Sequence, residues 1–241
     1  MGPLGRNTPS NFDHVTAAPI SELAAAPVDV PVSIGTNWYT SFDAPTQVSD
    51  GSWHLPDAKS NLGTVRGGHC TVLAPMGYFK YASPTIRASL WRWYNQGQEG
   101  ACEGFGHAHA QSILRAGACF DAFWLYDQAR KREGTYPSGE GTTNRAVCEV
   151  LEQIGLRQST APVAEREVDD GPVETSLGIS AVAWATTAEE VCNALGRPNA
   201  QAVPLLNSWG EDYPETVWLP VDTLDRLLQE EGEADVVTER T

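Results

Sequence analysis

The stretch Tyr94-Asn-Gln-Gly-Gln-Glu-Gly-Ala-Cys-Glu-Gly-Phe105 sets a cysteine behind small residues and just ahead of a Gly/Ala/His-rich helical run. A thiol reacts as its thiolate, and the partial positive charge at a helix N-terminus favours that form. Gly100 and Ala101 leave room for a substrate carbonyl to approach the Cys102 sulfur. Six residues upstream, Gln96 can aim its side-chain amide at the oxyanion that develops on such a carbonyl, with the backbone N–H of Cys102 as a second donor. The plainer account of the same residues is a buried thiol near a turn.

Two further stretches bear on that choice. Val65-Arg-Gly-Gly-His69-Cys-Thr-Val places a histidine on a β-prone run directly after paired glycines, and the missing side chain at Gly68 lets another segment approach the ring. A lone histidine is more often a surface or satisfied core residue than a base. Leu205-Leu-Asn207-Ser-Trp-Gly210 puts an amide at the end of an apolar strand, followed by an indole and a glycine. An Asn oxygen accepting from an imidazole N–H fixes the tautomer and orientation of a catalytic histidine, and Trp209 would shield that bond from water. The same four residues also serve as a simple exit from a strand into a turn.

Together the motifs resemble papain-like cysteine peptidases. Gln96-Gly-x-x-x-x-Cys102 is similar to that family's oxyanion glutamine and nucleophile, Asn207-Ser-Trp-Gly210 is identical to its asparagine motif, and Gly68-His69 resembles its histidine strand. The resemblance implies an α+β fold of two lobes, one helical and one an antiparallel barrel-like sheet, with Cys102, His69 and Asn207 meeting at the cleft between them. It covers most of residues 30–240, although three short motifs carry it.

The order of the motifs departs from the family's. Papain-like chains run Gln, Cys, His, Asn; here the order is His69, Gln96, Cys102, Asn207. His107 and His109 lie on the Cys102 helix itself, about 7.5 and 10.5 Å along its axis, and read as packing or surface residues. His14 sits in an irregular arm and His54 in a polar loop. The simplest account is a circularly permuted chain, since catalytic constellations are defined by geometry and not by chain order. In this the sequence is similar to bacteriophage-encoded members of the family.

Two departures touch the nucleophile. Glu103 replaces the family's tryptophan after the cysteine, and Glu99 replaces the cysteine three residues before it. Either carboxylate would oppose thiolate formation if it faced the sulfur. Gly139-Glu-Gly141-Thr142 resembles the glycine-containing edge where such peptidases hold an extended peptide by backbone hydrogen bonds, and is equally a plain loop.

Behind these residues must stand elements that position them. Residues 1–30 are Pro/Ala/Ser-rich and read as an arm, and residues 31–241 as one domain, with 31–76 and 201–241 mainly sheet lobe and 86–200 mainly helical lobe. Pro31–Tyr39 and Thr64–Leu73 read as strands. Residues 86–132 read as helical. A helix is expected from about Thr143 to Leu156 with Val147, Val150, Leu151 and Ile154 on one face, packed on the Cys102 helix. Residues 157–185 read as irregular, with a short helix at 187–195. Ala202–Leu206 and Thr216–Leu219 read as strands, and a last helix is expected behind an Asp222 cap with Leu224, Leu227 and Leu228 turned inward.

Composition narrows the functional classes. The 241 residues carry 16 Lys+Arg against 31 Asp+Glu, a net charge of −15, with no basic run, so nucleic acid and anionic membrane surfaces are disfavoured partners. No apolar run is long enough to span a bilayer. Five irregularly spaced cysteines without a CxxC pair indicate neither a zinc ribbon nor a disulfide scaffold and suit a reducing, cytoplasmic compartment, while the likeness to bacteriophage-encoded members implies a virion-associated protein as the other location. The expectation is a cysteine hydrolase of peptide or related amide bonds needing no metal or organic cofactor, with Cys102, His69, Asn207 and Gln96 carrying the chemistry and Gly141 and Thr142 lining the substrate. A cleft this acidic favours basic or neutral peptide or protein substrates. The alternative is an inactive papain-like module, for instance one with phage structural protein partners.

Overall fold

Strand periodicity governs the architecture. In the computed structural model, which describes residues 17–19, 29–159 and 172–240, consecutive apolar residues of three strands diverge to opposite cores. Val72, Leu206 and Val237 face one core, while Leu73, Leu205 and Val236 face the other. A sheet whose two faces are both apolar must be covered on both sides.

That sheet has nine strands: β1 (Ala17–Pro19), β2 (Val32–Tyr39), β3 (Thr46–Gln47), β4 (Trp53–His54), β5 (Val65–Leu73), β8 (Ile179–Ala185), β9 (Ala202–Leu206), β10 (Val217–Pro220) and β11 (Glu233–Glu239). Their spatial order is β1-β8-β11-β2-β5-β9-β10-β4-β3, and β6 (Leu156–Arg157) and β7 (Val173–Glu174) pair separately. Most pairs are antiparallel; β1 with β8 and β10 with β4 are parallel. The fold class is α+β. Where an antiparallel barrel-like sheet was expected, the described residues form a mixed sheet with β1 and β3 at its two ends.

On one face lie α1 (Met76–Tyr81), α2 (Pro84–Trp93), α3 (Cys102–Leu114), α4 (Ala122–Glu133) and α5 (Asn144–Gln153), closing a core with Phe105, Phe120, Tyr126 and Leu151. On the other face α6 (Ala188–Ala194) and α7 (Val221–Gln229) bring Val191, Leu224 and Leu227. Helices therefore flank the sheet on both sides, where a helical lobe beside a sheet lobe was expected.

Local sequence explains the helix starts. Ser83, Asp121 and Thr143 each accept a hydrogen bond from the backbone N–H three residues on, and Thr187 with Glu190 forms a reciprocal capping box. Gly134, at φ 73°, ends α4 in the left-handed conformation. Asp222 is not a cap: α7 begins at Val221 behind Pro220, and Asp222 stands in its first turn, where a carboxylate suits the helix dipole. α5 packs chiefly on α4 and also touches α3.

One strand contradicts the reading of its segment: residues 179–185, expected to be irregular, form β8, whose Ala-rich alternation carries little hydrophobic contrast. β11, within the segment expected to be mainly sheet, lies between β8 and β2, with Ala234, Val236 and Val237 buried. Of the arm at residues 1–30, only Ala17–Pro19 and residues 29–30 are among the described residues, and His14 lies outside them.

Candidate active site

Cys102 is the first residue of α3, and two glycines set how closely that helix can pack. A Cβ on Gly106 would sit 2.6 Å from the Cys70 sulfur on β5, and one on Gly104 would sit 2.4 Å from the Ala122 carbonyl at the start of α4. Without those side chains α3 rests directly on β5, and the backbone N–H of Cys70 is near enough to favour the Cys102 thiolate. The nucleophile candidate thus meets the strand one residue from His69.

His69 is buried on β5, and its Nε2–H donates to Asn207 Oδ1 across 2.7 Å. The backbone N–H of Ser208 donates to the same oxygen, also at 2.7 Å, which fixes the amide orientation. With an acceptor opposite Nε2, the proton is on Nε2 and the lone pair on Nδ1. Trp38 meets the imidazole edge-on, with ring centroids 4.7 Å apart, and Trp209 covers it at 5.0 Å. Burial in this aromatic surround brings His69 down to about 4, only partly countered by the bond to Asn207, so the ring is neutral at pH 7.

Gln96 is stapled to the asparagine motif. Its backbone N–H donates to the Ser208 carbonyl at 2.8 Å, its Oε1 accepts from the Ser208 hydroxyl, and its Nε2 donates to the Glu99 carbonyl at 2.8 Å. Asn95 and Trp209 form a β-bridge beside it. Hydrogen bonds therefore tie three of the four candidates together, His69 to Asn207 and Gln96 to the adjoining Ser208, while Cys102 stands at the start of the helix packed on β5. No hydrogen bond links the Cys102 thiol directly to the His69 ring among the described residues.

The sulfur's electrostatics run against the expectation from its helix position. Burial, then the charge of Glu103, pushes the Cys102 thiol up to about 12, although the backbone N–H groups of Cys70, Glu103 and Cys102 itself favour the thiolate. Burial in turn pushes the Glu103 carboxyl up to about 8. Glu103 is thus the flanking carboxylate that acts on the sulfur; the Glu99 carbonyl instead braces Gln96.

Gly141 stands next to Gly100, with open space on the side a Cβ would occupy. Its N–H is taken by the Tyr126 hydroxyl at 2.9 Å, and the buried Thr142 hydroxyl is taken by Glu133 at 2.7 Å. Neither of these two donors faces outward. A hollow of about 360 Å³, lined by Glu99, Tyr126, Arg130 and residues 136–140, adjoins this edge. A larger open groove of about 720 Å³, bordered by Trp53, Trp91, Trp218 and Glu215, touches none of the four candidates.

His107 and His109 are both buried. His109 stacks on Tyr94, with centroids 4.8 Å apart, as a packing residue. His107 is engaged instead with Asp235 and Cys148, an association no local sequence signal marks, since the partners are 128 and 41 residues away. All five cysteines are free. No helix among the described residues is long and apolar enough to cross a membrane. Comparison with family models, curated proteins and solved structures finds no match for this chain.

Proposed function

We propose that the chain is a cysteine hydrolase of peptide or related amide bonds, of papain-like type in permuted order. The observation that carries this reading is the 2.7 Å bond from His69 Nε2–H to Asn207 Oδ1, which leaves Nδ1 as the basic nitrogen on the strand against which the Cys102 helix packs. Cys102 gives its proton to Nδ1 as the sulfur adds to the carbonyl carbon, and the Cys102 N–H with the Gln96 Nε2–H that the Glu99 carbonyl leaves free stabilises the oxyanion. The C–N bond breaks as the amine takes the proton from His69. Water, deprotonated by the same nitrogen, then hydrolyses the thioester and restores the thiol.

Thiol and imidazole are both neutral at rest, because burial disfavours each charged form. Proton transfer accordingly belongs to the step in which substrate arrives and the oxyanion donors act together with the Asn207 bond. The test is turnover of a fluorogenic peptide library and a cell-wall preparation by wild type and Cys102→Ala. Activity lost in Cys102→Ala supports the reading, and equal turnover by both overturns it.

A second reading, an inactive papain-like binding module, is favoured by one observation, the buried Glu103 carboxyl beside the sulfur. A folded wild type with no turnover on any substrate, and with Cys102 no more reactive than the other cysteines, would support it.

A further inference from the structure

Beneath the nucleophile helix, on the side of α3 turned to the sheet, three buried side chains from three elements converge. His107 of α3 approaches Asp235 Oδ2 of β11 with its Nε2 at 3.2 Å, and the Cys148 sulfur of α5 lies 3.7 Å from the same nitrogen. All three donor atoms lie within 4.8 Å of one another. His107 Nδ1–H donates to the Glu103 carbonyl at 2.8 Å, the backbone contact that commonly orients an imidazole whose Nε2 binds a metal. Asp235, 1 % exposed, has its second oxygen Oδ1 buried with no partner.

We propose that His107 Nε2, Cys148 Sγ and the Asp235 carboxylate are three ligands of a structural zinc ion that ties α3, α5 and β11 together. Tetrahedral zinc with bonds of about 2.0–2.3 Å to N, O and S sets its ligand atoms roughly 3.3–3.6 Å apart, close to the spacing found here. The donor set, one imidazole, one thiolate and one carboxylate, suits zinc in preference to magnesium or calcium.

Cys70 and Glu103 form a second such triangle with a ring nitrogen of His107.

The inference is independent of the hydrolase reading, because Cys102 is not a ligand, and the test uses Cys102→Ala protein to keep the nucleophile from contributing. Elemental analysis of the purified chain is expected to find about one zinc per molecule. Cobalt(II) added to chelator-treated protein is expected to give a near-ultraviolet thiolate charge-transfer band, and zinc to raise Tm by about 5 °C or more. Cys148→Ser should abolish the band and Asp235→Asn weaken cobalt binding at least about 10-fold. Metal-free protein in which cobalt gives no band and zinc leaves Tm unchanged overturns the proposal without any variant having to fold. So does a band that persists in Cys148→Ser.

Discussion

The imidazole of His69 and the amide of Asn207, 138 residues apart in the chain, are joined by a 2.7 Å hydrogen bond under the indole of Trp209. The bond exists because β5 and β9 are neighbours in the sheet, with Val72 paired to Leu206 and Leu73 to Leu205. Replacing Asn207 by Ala leaves a buried N–H without an acceptor, at an expected cost of about 1–3 kcal/mol in denaturant unfolding. Under the proposed function, peptide turnover falls roughly 10²-fold in the same variant, because Nε2 no longer has to carry the proton. Unchanged turnover in a folded Asn207→Ala protein would separate the bond from the chemistry.

Glu103 restrains the sulfur beside it. The Glu103 carboxyl is about half ionised at pH 8, so Glu103→Gln removes part of a negative charge beside the sulfur, and iodoacetamide labelling of Cys102 should accelerate by roughly 2–10-fold. Peptide mapping of the labelled protein measures the rate at each cysteine. Slower labelling in the variant would contradict the electrostatic account.

Acid should destabilise the fold through His69. Its pKa is depressed from 6.5 to about 4, so between those values the unfolded chain binds a proton that the native state refuses. Stability therefore falls as pH drops from about 6.5 to 4, by about 3 kcal/mol for this group, and the contribution is complete above pH 6.5. Denaturant titrations at pH 7.5, 5.5 and 4.5 check the sign. His69→Gln, which keeps a donor for Asn207, should flatten the dependence relative to wild type.

The packing of α3 on α4 depends on the absent side chain at Gly104. Gly104→Ala gains about 1 kcal/mol in helix propensity, yet its Cβ would meet backbone at Ala122 and the Cβ of Tyr126, neither of which can swing aside. A net loss of about 1–3 kcal/mol is expected, read as a drop in Tm. A stabilised variant would show that α3 can shift without cost.

How much of this was legible depends on what each segment displays. Pro31–Tyr39 and Thr64–Leu73 announce themselves as strands because β-branched and aromatic residues recur there, and the cap residues Thr143 and Thr187 mark helix starts by their own hydrogen bonding. β11 carries no strand signal of its own because Glu233, Asp235 and Glu239 interrupt its apolar residues, while Asp235 is in fact buried against His107. The thiol environment was half legible: residue order shows Glu99 and Glu103 on either side of Cys102, but only the packing of α3 decides that Glu103 faces inward. The convergence of His107, Cys148 and Asp235 has no local signature, since it is a product of sheet order.

The place of β11 in that order has a consequence for biosynthesis. β2 and β8 pair with each other only through β11, so a nascent chain that has not yet reached Glu233 cannot complete the sheet and exposes two strand edges open to aggregation. Asn207 also leaves the ribosome long after His69 and Cys102. A chain cut short before β9 therefore carries the thiol and the imidazole without the amide that orients them, and incomplete translation products are inert under the proposed chemistry.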